Sequence, residues 1–165
     1  MAFQKHRPGE IVIEQTRDLA RVRKLLEQGA MITEGIEWPP ACYLLAFDGD
    51  QAVGVIGIEP LLDAALIRSL YMAESHRRRG IATQLVAAAR KAAHTRGARQ
   101  LYLFSYSPHP GRFFSRLGFE SVDTAELVSA LKGCPQVDYY LARPDEMAQE
   151  VAYRLDISRD GIIER

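Results

Sequence analysis

The chain has 165 residues, 47% of them hydrophobic, and its 21 basic and 21 acidic residues cancel to a net charge of zero. This length suits one domain with a substantial core, so we expect residues 1–165 to form a single domain with a loose start (1–9) and a tail (158–165). Neutral charge argues against a nucleic-acid binder and gives no attraction to anionic membranes. No apolar run approaches the length of a membrane span, and residues 1–8 lack the apolar core of a signal peptide.

The two cysteines, Cys42 and Cys134, are far apart in the sequence and have no histidine beside them. This pattern suggests neither a zinc site nor a disulfide framework. We therefore expect a reduced, cytoplasmic protein without a metal site.

The chain begins with the pattern of a strand followed by a helix. Residues 10–15 are rich in β-branched side chains, which predicts a first strand. Thr16 or Asp18 can cap a helix whose apolar residues repeat at helical spacing up to Gly29. Residues 30–40 show no clear period and end in two prolines, which indicates a loop or a frayed second helix.

A hairpin and a third apolar strand come next. The segments 42–47 and 51–59 read as strands, and Asp48-Gly49-Asp50 between them is a strong hairpin signal. Residues 60–63 turn the chain into a partly alternating strand at 64–72.

A long helix follows, because Ile81, Leu85 and the alanines after them recur at helical spacing until Gly97. Residues 98–105 are apolar on both faces, as in a strand buried on both sides. The remaining pattern predicts a loop, a short helix and a strand, at 107–111, 112–117 and 119–122. This order predicts a mixed α/β fold: a mostly antiparallel central sheet with a parallel strand–helix–strand crossover and helices on both faces.

Three arginines, Arg77, Arg78 and Arg79, stand at the start of the long helix. The helix dipole disfavours exposed cations there by roughly 0.3–1 kcal/mol each. Free backbone N–H groups at the same end attract anions, and arginine forks suit phosphate oxygens. Glu74 alone cannot balance the cluster. A solvated basic turn is the plainer interpretation, and a phosphate-binding loop is the sharper one.

The motif around these arginines resembles a known family. A nucleoside-triphosphate loop and the three-glycine dinucleotide fingerprint are both absent. Arg77-x-x-Gly80-x-Ala82 at a strand-to-helix junction resembles the Arg/Gln-x-x-Gly-x-Gly/Ala signature of the GNAT superfamily of acyl-CoA-dependent N-acyltransferases. The segment Phe113–Phe119 resembles that family's aromatic-x-x-Leu-Gly-Phe element. The resemblance covers roughly residues 10–122 and implies the GNAT fold.

A narrower resemblance is to acetyltransferase domains of the N-acetylglutamate-synthase type and to a related arsenic-resistance group. It is carried by four segments, Leu70–Gly80, Phe113–Phe119, Val122-Asp123 and Cys134-Pro135. The segment after Pro135 is lengthened here. Residues 145–155 could form a helix or 150–157 the last strand, and we favour the strand by analogy.

The resemblance implies acetyl-CoA as co-substrate, with its pyrophosphate on the backbone amides of the loop. The end of the fourth strand would grip the pantetheine arm, and one of its N–H groups would support the developing oxyanion. The cofactor-binding residues implied in this way are Leu70, Tyr71, Met72, Arg77, Arg78, Arg79, Gly80, Ile81, Ala82, Thr83, Ser105 and Phe114.

Catalytic side chains are harder to assign. Many family members have a tyrosine acid where this chain has Phe114, which has no proton to give. Tyr106, at the end of the fifth strand, is the nearest substitute, although a rim aromatic is an equal interpretation. Glu59 is the candidate base at the end of a hairpin strand. Glu34 and Glu37 are the next candidate bases. We expect His94 to be an exposed residue of the long helix, His109 is a candidate for contact with the substrate, and Trp38 either covers the acceptor pocket or fills the core.

The function we expect is transfer of the acetyl group of acetyl-CoA to a primary amine of a small molecule, by direct attack in a ternary complex. An amino acid or an analogue of one is the candidate acceptor, and a homodimer is the candidate assembly. A non-catalytic acyl-CoA-binding module is the alternative. We expect no nucleic-acid or membrane partner.

Overall fold

The computed structural model describes residues 9–106 and 111–162, whose strands form a seven-stranded sheet in the order β1-β2-β3-β4-β5-β7-β6. The strands are β1 (Ile11–Thr16), β2 (Cys42–Asp48), β3 (Gln51–Leu61), β4 (Ala64–Met72), β5 (Gln100–Tyr106), β6 (Glu120–Val122) and β7 (Glu150–Asp156). The helices are α1 (Leu19–Gln28), α2 (Ile81–Thr95), α3 (Gly111–Arg116), α4 (Thr124–Leu131), α5 (Pro135–Leu141) and α6 (Pro144–Met147). A single 3₁₀ turn at Glu74–His76 precedes α2.

Strand directions confirm the predicted fold class. β4 pairs with β5 in parallel, with Ala64 opposite Gln100 and Ile67 opposite Leu103. β1 runs antiparallel to β2, and β7 runs antiparallel to both β5 and β6. A parallel pair needs a crossover connection, and the segment containing α2 supplies it.

The chain divides into two compact units. The first comprises the residues up to Gly57 together with Ser69–Ala89, and its core packs α1 against β2. α1 presents Val22, Leu25 and Leu26 on one face, the spacing of a helix with one buried stripe. Asp18 caps α1 by accepting the Arg21 N–H at 3.1 Å. Of the two predicted caps, Asp18 is therefore the one used.

The second unit comprises Ile58–Arg68 and the residues from Arg90 onward. Its central strand, β5, buries Leu101 and Leu103. The guanidinium of Arg90 donates to both carboxylate oxygens of Asp160, at 2.5 and 2.7 Å. This bidentate pair joins α2 to the turn after β7 within the unit.

Most predicted elements are confirmed, and one region was not anticipated. The segment 30–40 is irregular, the hairpin forms, and the last strand runs from Glu150 to Asp156 with the short helix α6 before it. The sequence patterns assigned no structure to the stretch that forms α4 and α5. The predicted loop at 107–111 and its His109 fall almost entirely outside the described residues. The predicted single domain, its loose start and its tail stay predictions.

Membrane-spanning helices and metal-binding groups are both missing from the described part of the chain. None of its helices is long and apolar enough to cross a membrane. In the same residues, no three side chains of the His, Cys, Asp and Glu types gather into a group that could hold a metal ion.

Candidate functional site

The segment Arg77–Thr83, which we call the arginine loop, runs from the end of the 3₁₀ turn into the first three residues of α2. Arg78 and Gly80 both adopt the left-handed backbone region, with φ of 66° and 75°. The Gly80 carbonyl accepts the N–H of Gln84 at 3.2 Å, so Gly80 occupies the position before the first helical residue. Helix geometry then leaves the N–H groups of the first turn without intrahelical partners.

The surroundings of the arginine loop favour an anion. Arg77, Arg78 and Arg79 are exposed, and the first turn of α2 contains no acidic residue. A Cβ built on Gly80 would meet nothing within 4 Å, so the backbone there is open to approach. Cationic side chains, free N–H groups and the positive end of a helix dipole are the features of phosphate sites.

A buried histidine fixes the residues just before the loop. His76 Nε2 lies 2.8 Å from Asp48 Oδ2, and His76 Nδ1 lies 2.7 Å from the hydroxyl of Ser75. Asp48 also accepts the N–H of Gly9 at 2.7 Å. The hydrogen bond from His76, followed by that from Gly9, lowers the pKa of Asp48 below its usual value. The hairpin turn after β2 is therefore tied to the start of the arginine loop.

The end of β4, the predicted pantetheine-binding segment, has a distorted backbone and close packing. Ser69 has a φ of 62°, which interrupts the regular strand geometry. After it, Leu70, Tyr71 and Met72 are half-buried. A Cβ on Gly54 would lie 2.7 Å from the sulfur of Met72, so a larger residue there would have to push the flexible end of the Met72 side chain aside.

Arg77 also holds the end of β4, because its Nε donates to the Met72 carbonyl at 3.3 Å. The Ala73 N–H, one residue further on, donates to the Val53 carbonyl at 2.8 Å. Together these bonds set the exit of β4 into the 3₁₀ turn.

Glu59, the predicted base, lies in a fully enclosed position in the second unit. Its carboxylate is 0% exposed and pairs through Oε2 with Nη1 of the equally buried Arg68, at 2.8 Å. Its Oε1 accepts the N–H of Gln136, the second residue of α5, at 3.0 Å. Burial raises the pKa of Glu59, although the charge of Arg68 acts in the opposite direction. Both carboxylate oxygens thus have partners inside the protein.

The other predicted residues of the second unit lie in unlike environments. Tyr106 ends β5 with 59% of its surface exposed, whereas Ser105 beside it is buried. Phe114 is buried among aromatic rings, 5.7 Å from Phe119 and 6.0 Å from Tyr153 between centroids. Phe114 is therefore packed as a core residue of this unit.

A polar cluster that the sequence did not indicate joins α5 to β7. Tyr140 donates its hydroxyl proton to Glu150 Oε1 at 3.0 Å, and Gln136 hydrogen-bonds the same hydroxyl. Burial is the largest cause that raises the pKa of Tyr140, and it raises that of Glu150 as well. We call Gln136, Tyr140 and Glu150 the α5–β7 cluster.

Comparison with protein families identifies the fold's relatives. The Acetyltransferase (GNAT) family profile matches residues 13–119, more than half of the chain. The chain belongs to the GNAT acetyltransferase family. The matched range includes the whole arginine loop and ends at Phe119, so both motifs that carry the resemblance lie inside it.

Solved GNAT structures share the fold at low sequence identity. An N-acetylglutamate synthase from Neisseria gonorrhoeae, complexed with coenzyme A and N-acetyl-glutamate, has a TM-score of 0.68 at 16% identity over 90% of this chain. This chain spans only 35% of that synthase chain. A GNAT acetyltransferase from Staphylococcus aureus Mu50 has a TM-score of 0.67 at 14% identity, over 90% of this chain and 99% of its own.

A third structure, a Bacillus subtilis acetyltransferase in complex with CoA, has a TM-score of 0.65 at 19% identity, covering 89% of this chain and 99% of its own. No curated protein matches this chain. The comparisons therefore establish the GNAT fold and an acyltransferase family.

Within this GNAT domain, sequence patterns indicated one part of the candidate site and not the other. They placed the arginine loop and the end of β4, which are consecutive in the chain. They did not find Gln136, Tyr140 or Glu150, whose meeting requires α5 and β7 to be packed together. A charged residue in each of two apolar strands, Glu59 and Arg68, was the one available signal for the buried ion pair.

Proposed function

We propose that the protein is an acetyl-CoA-dependent N-acetyltransferase that moves the acetyl group to a primary amine of a small molecule, by direct attack in a ternary complex. An amino acid or an analogue of one is the first acceptor to test. The observation that carries the proposal is the arginine loop, which combines two left-handed residues, exposed arginines and the open start of α2. The compared Neisseria and Bacillus proteins, which were crystallised with CoA, support the cofactor class.

In this proposal the loop amides hold the pyrophosphate of the cofactor, and Arg77, Arg78 and Arg79 neutralise its charge. The residues after Ser69 in β4 hold the pantetheine arm. A backbone N–H there stabilises the oxyanion that forms when the amine attacks the thioester carbonyl. Tyr106 protonates the departing thiolate. Ser105 and Phe114 are proposed to line the cofactor site.

The buried contacts of Glu59 favour an anchoring role over proton abstraction. To act as a base, the carboxylate would have to leave both Arg68 and the Gln136 N–H. We further propose that the protein folds as one domain, works in the reduced cytoplasm and forms a homodimer.

The cofactor proposal is tested by replacing Gly80 with valine. Acetyl-CoA should raise the melting temperature of the wild-type protein, because a ligand that binds only the folded state stabilises it. A valine side chain should obstruct close approach to the loop backbone and abolish this shift.

Gly97→Val is the matched control. Gly97 lies just beyond the other end of α2, also has a positive φ (91°), and also has open space around a built Cβ. Both variants therefore suffer similar backbone strain, but only Gly80→Val should lose the response to acetyl-CoA. A folded Gly80→Val protein that keeps the full shift would contradict the proposal.

One observation favours a second function, a non-catalytic acyl-CoA-binding module. The position where many relatives have a tyrosine acid is filled by Phe114, which is buried among aromatic rings. A panel of amino acids, amines and antibiotics, read by release of free CoA thiol, separates the two functions. Cofactor binding without turnover of any acceptor would favour the module.

A further inference from the structure

The hydrogen-bond pattern of the α5–β7 cluster leaves one buried acceptor without a partner. A phenol has a single proton, and Tyr140 donates it to Glu150. Gln136 must therefore donate to the Tyr140 oxygen through its Nε2 group. Its Oε1 then has no hydrogen-bond partner within the described residues, although Gln136 is only 8% exposed. Buried polar atoms normally have partners, so this oxygen calls for a ligand or water.

Glu150 is a half-buried carboxylate that lacks a cation in the described part of the chain. Tyr140 is its hydrogen-bond partner through Oε1. Arg154 lies on the same face of β7 by strand alternation, but its Nη1 donates to both oxygens of Glu126, at 3.1 and 2.9 Å. Taking an unpaired carboxylate out of water is costly. A cationic ligand would remove that cost.

The cluster opens at the end of β5. Glu150 stands directly opposite Tyr106 in the β5–β7 ladder, and opposed residues project from the same face of a sheet. Tyr106 is 59% exposed, so this end of the face is accessible. Phe104, two residues earlier on the same face, packs against Tyr140 with ring centroids 4.9 Å apart. Aromatic rings beside a carboxylate are a favourable surface for a protonated amine.

We propose that Gln136, Tyr140 and Glu150 form the acceptor site of this enzyme and that they bind a primary ammonium group. The ammonium donates one hydrogen bond to the Glu150 carboxylate and another to Gln136 Oε1, so two of its three N–H donors meet the two acceptors that need them. This inference rests on the proposed N-acetyltransferase function and names the residues that recognise its second substrate.

Glu150 also acts as the proton acceptor. One ammonium proton passes to its carboxylate, and the neutral nitrogen attacks the acetyl carbonyl carbon. The new N–C bond forms as the C–S bond breaks, and the bonding electrons leave with sulfur. Tyr106 gives its proton to the thiolate and the nitrogen's second proton replaces it, which gives CoA thiol and the amide. Glu150 finally releases its proton to solvent.

The charge of Glu150 has a consequence for stability. Its pKa in the folded protein is raised, chiefly by burial, so its contribution to stability is full below the ordinary glutamate value and is lost as the pH rises through the folded pKa. The groups that face Glu150 are Tyr106 and Tyr140, and the nearby Arg154 is already paired with Glu126. On the β6 side, the apolar Val122 lies opposite Ala152. Glu150→Gln keeps an acceptor for Tyr140 and removes the charge.

This substitution should therefore raise the melting temperature of the apo protein at neutral pH and leave it unchanged at acid pH. Glu146→Gln is the matched control, because Glu146 accepts the hydroxyl of Tyr139 at 3.3 Å in an exposed position. Glu146→Gln should leave the melting temperature unchanged at both neutral and acid pH. A lower melting temperature for Glu150→Gln at neutral pH would indicate a structural carboxylate and overturn the inference.

Binding is tested on the full chain with methylammonium chloride, against sodium chloride at the same ionic strength. Methylammonium should raise the melting temperature of the wild-type protein and of Glu146→Gln, but not of Glu150→Gln. Tetramethylammonium has the same charge but no N–H donor, so it should raise the melting temperature less than methylammonium does. Equal shifts with both cations, or a retained shift in Glu150→Gln, would contradict the assigned site.

Turnover distinguishes this inference from the function on which it rests. Glu150→Gln should keep the acetyl-CoA shift, while kcat/KM for an accepted amine falls by roughly 10²–10⁴-fold and its pH profile loses the acid limb. A wild-type protein without an acetyl-CoA shift would refute the proposed function even if methylammonium binds. Normal turnover with an unchanged pH profile in Glu150→Gln would refute only the acceptor site.

Discussion

Two exposed non-glycine residues, Arg78 and Leu62, have left-handed backbone conformations, with φ of 66° and 55°. Such a conformation costs an L-residue roughly 1–2 kcal/mol. Leu62 forms the turn between β3 and β4 and is 89% exposed, so little packing depends on its side chain. In Arg78 the same strain is retained inside the arginine loop, where it aims the backbone at the proposed anion.

We predict that Arg78→Gly stabilises the apo protein and weakens cofactor binding. Removing the strain should add about 0.5–1 kcal/mol to the free energy of unfolding, after the greater freedom of glycine in the unfolded chain is subtracted. Losing one charge-assisted phosphate contact should cost about 1.5–3 kcal/mol of acetyl-CoA affinity. Urea unfolding and calorimetric titration measure the two effects.

Leu62→Gly is the control for this pair of measurements. It relieves a similar strain far along the chain from the arginine loop, so it should stabilise the protein and leave acetyl-CoA affinity unchanged. If Arg78→Gly behaves in the same way as Leu62→Gly, the arginine side chain does not contact the cofactor.

Tyr106 gives a second prediction at the residue scale. If it protonates the thiolate, Tyr106→Phe should lower kcat by roughly 10²–10⁴-fold. The KM for acetyl-CoA should change little, because a proton given only in the transition state adds nothing to ground-state binding. Steady-state kinetics at several pH values measures both. A kcat within about tenfold of wild type would leave Tyr106 as a wall of the pocket, since the substitution retains its ring.

At the scale of elements, the ion pair of Glu59 and Arg68 connects two strands to the first turn of α5. The Glu59 carboxylate accepts the N–H of Gln136, and Gln136 and Tyr140 are four residues apart on one helix face. The buried pair therefore sets the position of the side chains that hold Glu150. Anchoring is a role that neither residue could reveal from its place in the sequence.

We predict that Glu59→Gln destabilises the protein by about 3–5 kcal/mol, because it removes the carboxylate charge paired with the buried guanidinium of Arg68. Combining it with Arg68→Met should recover much of the loss, since an apolar replacement removes the buried charge that Glu59 balanced. Urea unfolding compares the three proteins. A Glu59→Gln variant of unchanged stability and severely reduced kcat would instead restore Glu59 as the catalytic base.

Sequence patterns predicted those elements whose signals are local. Asp48-Gly49-Asp50 marked the hairpin, and Arg77 to Ala82 marked the loop before α2. The side-chain roles of Glu59 and Glu150 could not be predicted, because burial and pairing depend on strands and helices that are distant in the chain. A glutamate next to a turn has the same sequence signature whether it lies in water or against a buried arginine.

At the scale of the whole molecule, the question is whether the two compact units unfold together, as the proposed single domain requires. Many domains of this size unfold in one cooperative transition, whereas independent units unfold separately. The arginine loop lies in the first unit and the α5–β7 cluster in the second. If the chain is one cooperative domain, both are lost in the same unfolding transition.

The two cysteines provide one chemical probe of unfolding in each unit. Cys42 lies in the first unit and Cys134 in the second, and both are buried. Burial, followed by the charges of Glu59 and Asp138, raises the pKa of the Cys134 thiol to about 12, so alkylation requires that its surroundings open. We predict that iodoacetamide modifies both thiols at the same urea midpoint if the chain is one cooperative domain, and mass spectrometry of the peptides would follow each one. Modification of one cysteine at a clearly lower urea concentration than the other would show that the molecule has two separately melting halves.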